Sequence, residues 1–229
     1  MSPPRPAIPA ALGPDPAGHT WSWRALPAPG RPDFGVYVHD DPDALLEALA
    51  ADPEAREERL PYFASLWPAG AALARHLLEG PDLCGVAVLD LGCGSGVVGL
   101  AAACRGAAVT LLDRDERSAF GVAGSARVLG LESVTFVAGD WAAALPGRRF
   151  LRVLAADVLY EPAFAAALAR ALARLLAPEG EAWVADPGRR HADALDAEAS
   201  CVGLAALSPV HLPGPGGIDV LLRRYRGAR

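Results

Sequence analysis

Residues 86–106, VAVLDLGCGSGVVGLAAACRG, join an apolar run to an acid, then to alternating glycines, then to a small-residue helical pattern. They read as strand, tight turn and helix. Val86, Val88, Leu89 and Leu91 are dense enough in aliphatic side chains for a strand buried on both faces, as parallel strands flanked by helices are. Asp90 interrupts that run. A carboxylate so near the carboxyl end of a buried strand is costly unless it meets a partner, and open α/β sheets place their ligands at that edge. Gly92, Gly94 and Gly96 allow the backbone to turn sharply there and to approach a ligand closely.

Two ligand classes compete for such a turn. Gly94, Gly96 and Gly99 satisfy the GxGxxG spacing that seats a dinucleotide pyrophosphate on a helix N-terminus. The order Asp90-x-Gly92-x-Gly94-x-Gly96 instead sets a carboxylate just ahead of the glycines, where it meets an amino group or a cation. S-adenosylmethionine carries both. A glycine-rich turn with no ligand is the plain structural alternative. Asp113 favours S-adenosylmethionine, because residues 109–112 form a second apolar run that ends in an acid about twenty residues beyond the first glycine, the spacing that grips ribose hydroxyls. As a purely structural residue it would cap the next helix, with Asp115 beside it.

A chain of 229 residues is long enough for one sizeable α/β domain and short for two. The apolar fraction of 52% excludes a disordered chain, and the longest uncharged apolar runs are too short and too glycine-rich to span a bilayer, so no membrane contact is expected. A net charge of -6 argues against a nucleic-acid partner. Cys84, Cys93, Cys104 and Cys201 form no CxxC pair and have no matching histidine spacing, so no metal site and no disulfide framework is expected. Reduced thiols point to the cytoplasm.

Residues 1–18 are rich in proline, alanine and glycine and read as a disordered tail, leaving 19–229 as a single domain. Within it, 19–80 should hold a hairpin and helices, and 81–229 the ligand-binding sheet. Residues 20–25 and 33–39 alternate as a β-hairpin whose Trp21 and Trp23 cover a sheet edge, and 43–51 read as a helix. PYFASLWPAGAALARHLL, residues 61–78, is an aromatic cluster, a Pro-Ala-Gly break and a helix; Trp67 there is either plain core or a pocket wall. Residues 115–129 read as a helix closed by Gly130, and 134–138 as a strand leading to Asp140 and Trp141. That pair suits an adenine, by hydrogen bond and by stacking, or else is a helix cap and a buried ring. The strand at 150–156 delivers Asp157, and Tyr160 follows. Pro162 opens an amphipathic helix that Pro178-Glu179-Gly180 stops, then come a strand over 181–186, a helix over 191–202, and strands over 205–210 and 218–225.

From about Val36 onward the chain resembles class I S-adenosylmethionine-dependent methyltransferases. PYFASLWPAGAALARHLL, VLDLGCGSGVVGLAA, ADVLY and DPGR together resemble the electron-transfer flavoprotein beta-subunit lysine methyltransferases, a branch of the DxxY-motif protein methyltransferases. The resemblance implies a Rossmann-like seven-stranded, mostly parallel sheet with helices on both faces and one antiparallel strand near the C-terminus. It assigns Asp90, Gly92 and Gly94 to the methionine end of the cofactor, Asp113 to ribose, Asp140 and Trp141 to adenine, and Trp67 to the pocket wall. Asp157 and Tyr160 match the DxxY motif, which faces the methyl acceptor. The implied partner is a protein, first the beta subunit of electron-transfer flavoprotein, and the implied state is a monomer. Ser125 and Leu129 stand where the family has asparagines, and the final VLLRRY lacks the family's threonine-valine-tryptophan.

The reaction so implied is in-line displacement at a sulfonium methyl by a neutral amine, which needs alignment and removal of the ammonium proton. Asp157 is expected to orient that amine, with its service as a base left open, and Tyr160 to shape the channel. A small-molecule amine methyltransferase, a non-catalytic S-adenosylmethionine binder and a nicotinamide-dependent reductase are the competing readings. A base methyltransferase would carry Asn/Asp-Pro-Pro-Tyr, whereas Val158 and Leu159 stand in place of both prolines.

Overall fold

A computed structural model describes residues 15, 18, 20–51 and 61–227; the side chains of Leu46, Ala48, Leu49 and Ala50 are not among the described ones. The expected tail at 1–18 lies outside the described residues except for Asp15 and Gly18.

Strands β1 (Trp21–Ala25) and β2 (Gly35–His39) pair antiparallel as the expected hairpin. Helix α1 (Pro42–Ala50) follows, and then α2 (Pro68–Glu79). The main sheet contains β3 (Ala87–Leu91), β4 (Ala108–Asp113), β5 (Val134–Ala138), β6 (Phe150–Ala156), β7 (Leu176–Asp186), β8 (Leu204–Pro213) and β9 (Asp219–Gly227). Its order is β5-β4-β3-β6-β7-β9-β8, with β9 antiparallel to both neighbours and the other pairs parallel. Helices α3 (Val97–Cys104), α4 (Ser118–Val128), α5 (Phe164–Leu175) and α6 (Ala194–Cys201) complete the fold.

Alternation along the central strands feeds two cores. Val88, Val109, Leu111 and Leu154 pack with α2, α3 and α4 on one face, while Leu89, Leu91, Leu112 and Val153 pack with α5 and α6 on the other. Each such fully buried aliphatic side chain contributes roughly 1.5–3 kcal/mol relative to exposure. The chain winds outward from β3 through β4 to β5, then returns to β6 on the other side of β3. Strand order reverses there, so the carboxyl ends of β3 and β6 border a crevice, the usual ligand position in such sheets.

Several boundaries differ from the sequence reading. Pro68 is not a break before α2 but its first residue, where a missing N–H costs nothing. The segment Pro178-Glu179-Gly180 does not separate helix from strand: β7 begins at Leu176, which pairs with Phe150, and runs through the proline across a register shift. A bulge leaves the proline with no ladder bond to break. Trp21 and Trp23 do not cover a sheet edge. Trp21 lies against Gly121 of α4 and beside Phe63 and Phe120, and Trp23 against Tyr37. Ser125, fully buried, accepts the Tyr37 N–H at 2.8 Å and donates to Gly121 O at 2.7 Å, so it ties the hairpin to α4.

Candidate active site

The turn after β3 is shaped by its glycines. Gly96 has φ +76°, and a Cβ there would stand 2.9 Å from Val122, so the left-handed turn and the close approach of α4 both exclude a side chain. The N–H groups of Gly92 and Cys93 both point to Leu112 O at the end of β4, which fixes the turn against the neighbouring strand. Gly94 N–H donates to Asp113 Oδ2 at 2.7 Å, and Asp115 N–H to Asp113 Oδ1 at 2.9 Å. Asp113 therefore joins the two strand ends. Burial pushes its carboxyl above the ordinary value, against those two hydrogen bonds.

Gly92, Gly94, Asp113, Asp140, Trp141, Trp67, Asp157 and Tyr160 all border one cavity at these strand ends. Asp140 Oδ1 also accepts the Ala142 N–H at 2.6 Å, and Trp141 meets Phe164 edge to face at 5.4 Å. No helix directly follows Asp140, so its contact with Ala142 N–H belongs to a turn and not to a helix cap, and Trp141 is a half-buried ring of the cavity wall. Trp67 is wall as well; its Nε1 donates to Tyr62 O at 2.7 Å.

Asp90 is the exception and a correction. Its side chain is not part of the cavity lining: it is 1% exposed and lies behind the turn, with Oδ2 accepting the Gly99 N–H at 2.8 Å. A Cβ on Gly99 would stand 3.1 Å from that oxygen, so the third glycine of the spacing lets α3 approach the carboxylate. Burial raises the Asp90 pKa to about 7, opposed by the Gly99 hydrogen bond and reinforced by the charge of Asp113. With the folded pKa above the unfolded one, the folded state keeps a proton that the unfolded chain has lost, so this group costs stability as pH rises from about 4 through 7. The asparagine variant Asp90→Asn should therefore gain on the wild type in thermal unfolding between pH 5 and pH 8. Asp90→Ala should lose about 1–3 kcal/mol at both pH values, because Gly99 N–H is left without an acceptor. A wild-type/asparagine difference that ignores pH would contradict this assignment.

Asp157 follows β6 with φ +60°, a strained conformation for a residue with a side chain. Its surroundings hold it there. Oδ2 accepts the Ala69 N–H at 2.7 Å, at the positive end of α2, and Oδ1 accepts Arg189 Nη2 at 2.9 Å and Nε at 3.3 Å. This changes the sequence expectation: Asp157 is not a carboxylate waiting for an amine but one already engaged at both oxygens. Arg189 is brought to it by Asp186, whose Oδ1 accepts the N–H of Gly188 at 2.8 Å and of Arg189 at 2.6 Å. Tyr160 stacks near Tyr62 and Phe164, each with ring centroids 4.9 Å away, and burial raises its phenol to about 12, so it stays neutral.

A second cavity adjoins the first, lined by Tyr62, Trp67, Asp157, Tyr160, Glu161 and Arg189. Four of these residues, Tyr62, Trp67, Asp157 and Tyr160, line both. The motifs holding Tyr62 and Arg189 were legible in the sequence but carried no role there, and Phe164 fell within the amphipathic helix that Pro162 opens. The aromatic density of PYFASLW was the available signal for Tyr62.

The donor set discriminates between the two ligand classes. Asp113, Asp115, Asp140 and Asp157 line the first cavity; Arg117 pairs with Asp115 and Arg189 with Asp157, which leaves Asp113 and Asp140 against Arg114, a balance still suited to a cationic ligand and adverse to a pyrophosphate. The start of α3, where a pyrophosphate would rest, is not part of the cavity: Gly92 and Gly94 line it, but Gly96, Val97 and Val98 do not. The residues present therefore fit S-adenosylmethionine, with Trp141 and Phe164 as apolar rings for adenine, Asp113 for ribose hydroxyls and the backbone around Gly92 and Gly94 for the methionine end. Among the described residues no cluster of three or more His, Cys, Asp or Glu is placed to hold a metal, and no helix is long and apolar enough to cross a membrane.

The strand order, the glycine turn and the acid that ends β4 define a Rossmann-like α/β protein of methyltransferase architecture. The N-methyltransferase NodS of Bradyrhizobium japonicum WM9, solved with S-adenosyl-L-homocysteine, shares the fold with a TM-score of 0.58 at 18% identity, over 83% of this chain and 100% of that one. The ribosomal protein L11 methylase of Lactobacillus delbrueckii subsp. bulgaricus matches with a TM-score of 0.56 at 18% identity, over 69% of this chain and 77% of that one. The chain belongs to the lysine methyltransferase family, whose sequence profile matches residues 57–195. It is 36% identical over 135 residues to the electron transfer flavoprotein beta subunit lysine methyltransferase of Xenopus laevis, covering 56% of this chain and 53% of that protein. To the Rattus norvegicus protein of the same name it is 33% identical over 132 residues, covering 56% and 51%. The match thus spans about half the length of these relatives.

Proposed function

We propose that the protein is an S-adenosylmethionine-dependent N-methyltransferase of protein lysine side chains, with the beta subunit of electron-transfer flavoprotein as its first candidate substrate. The carrying observation is the pair of cavities that share Tyr62, Trp67, Asp157 and Tyr160. One has the acids and rings for a cationic nucleoside; the other has an aromatic wall for a butyl stem and a carboxylate for the amine at its end. The names of the curated relatives support the substrate.

When bound, S-adenosylmethionine supplies a methyl group on a cationic sulfur, open to in-line displacement by an amine lone pair. The chain's own work is alignment. Tyr62, Trp67 and Tyr160 hold the lysine stem, and Asp157, whose Oδ1 takes both contacts from Arg189 and whose Oδ2 takes the Ala69 N–H, orients the amine through the one lone pair left on Oδ2. The proton leaves to water. A net charge of -6 also suits a lysine-bearing surface, so encounter should slow as salt is raised.

The test is intact-mass spectrometry of purified flavoprotein after incubation with the protein and S-adenosylmethionine, followed by peptide mapping. Additions of about 14 Da, one methyl in place of one hydrogen, are expected on lysines of the beta subunit. An unmodified beta subunit alongside robust methylation of a free small amine would transfer the case to a small-molecule methyltransferase.

A further inference from the structure

Asp157 presents a chemical difficulty that Arg189 resolves. A carboxylate facing an incoming lysine stabilises the ammonium form, which has no lone pair with which to attack a methyl group. The DPGR turn after β7 places a permanent cation beside it. Arg189 contacts Asp157 Oδ1 through Nη2 at 2.9 Å and Nε at 3.3 Å, and its Cζ stands 5.6 Å from the centroid of the Trp67 ring. The Arg189 side chain is 28% exposed, so it is partly withdrawn from water yet borders the second cavity.

Resting on the lysine reading above, we propose that Arg189 is a positioning and selectivity residue of the acceptor cavity: it fixes Asp157 where the two cavities meet and biases the cavity toward the neutral amine. The charged and titratable groups around it give that bias its sign. Asp157 and Glu161 come from the segment after β6, Asp186 lies behind Arg189 at the end of β7, and α2 contributes only the Ala69 N–H. Tyr62 and Tyr160 line the same cavity, and Tyr160 is neutral at working pH; Asp113 and Arg114 belong to the wall of the first cavity. Without Arg189 the second cavity would be lined by two carboxylates, Asp157 and Glu161, and no cation. It would then hold a lysine as ammonium to higher pH. Lysine at position 189 would keep the charge but lose the planar two-point grip on the carboxylate.

The experiment compares wild type, Arg189→Gln and Arg189→Lys by the pH dependence of kcat, at saturating flavoprotein beta subunit, because that profile reports ionisation in the bound complex. The acid limb should move up by about one pH unit in Arg189→Gln, the order expected of one nearby, partly screened charge. In Arg189→Lys the limb should stay in place while kcat falls. Calorimetry of n-butylamine into the S-adenosylhomocysteine complex at pH 7 gives a readout independent of turnover: binding should be severalfold tighter to Arg189→Gln than to wild type. Affinity for S-adenosylhomocysteine itself should be unchanged, since Arg189 does not line the first cavity, and this verifies the fold of each variant. An acid limb in Arg189→Gln that stays in place, with kcat lowered equally at every pH and unchanged butylamine binding, would overturn the proposal and leave Arg189 a structural brace. Failure of the wild type to methylate any protein lysine would count against the function reading instead, and the butylamine comparison would still decide the role of Arg189.

Discussion

Asp157→Ala is expected to lower methyl transfer by about a hundredfold or more while affinity for S-adenosylhomocysteine stays within about threefold of wild type. The separation follows from what the side chain holds. Its two oxygens bind the first turn of α2 through Ala69 N–H and the turn after β7 through Arg189, so its loss frees two walls of the acceptor cavity together. The side proposed for ribose and adenine, by contrast, rests on Asp113, Asp140 and Trp141, none of which contacts it through a hydrogen bond. Alanine would also keep the strained φ of +60° with no hydrogen bonds to hold it, so stability should fall by about 1–3 kcal/mol. Asparagine tolerates that conformation better than alanine, so Asp157→Asn provides the same test if the alanine variant does not fold. Turnover at the wild-type rate in either variant would contradict the placement of Asp157 on the acceptor side.

The second large effect belongs to Asp113→Ala. That carboxylate accepts N–H groups from both glycine turn and following segment, at 2.7 Å from Gly94 and 2.9 Å from Asp115, and it borders the first cavity. Its removal takes away the acceptor proposed for ribose and loosens the glycine turn proposed to meet the methionine end. Affinity for S-adenosylhomocysteine should fall by about ten- to a hundredfold, or about 1.5–3 kcal/mol for a charge-assisted hydrogen bond. Because burial raises the Asp113 carboxyl, protonation should weaken wild-type binding on the acid side starting above the ordinary carboxylate range. Asp113→Asn, which cannot ionise, should lose that part of the pH dependence. Calorimetric titration at pH 5 and pH 8 measures both effects, and equal affinity of Asp113→Ala and wild type would remove Asp113 from the cofactor site.

The positions of the acids were legible because each follows an apolar run, and a carboxylate there has to be accommodated by something at the strand end. Their directions were not. Asp90 alternates with Leu89 and Leu91, so its side chain takes the face on which α3 packs, and the close approach of Gly99 gives it an internal partner. Arg189, Asp157 and Ala69 lie in three distant segments, and only the order β3-β6-β7 with α2 above it brings them together. The proline signals were overread for a related reason: Pro68 and Pro178 lack an N–H, but one stands where a helix has no use for it and the other beside a register shift. Ser125, a departure from the family pattern, could not be read as structural until the hairpin was seen to seat Tyr37 N–H on its hydroxyl.

The most direct test of the account is calorimetry of the wild-type protein with S-adenosylhomocysteine and, separately, with NAD. A cavity whose unpaired acids, Asp113 and Asp140, outnumber its one guanidinium, Arg114, and whose lining leaves out the start of α3, predicts one S-adenosylhomocysteine bound per chain and no heat with NAD. Saturable NAD binding without a response to S-adenosylhomocysteine would contradict it.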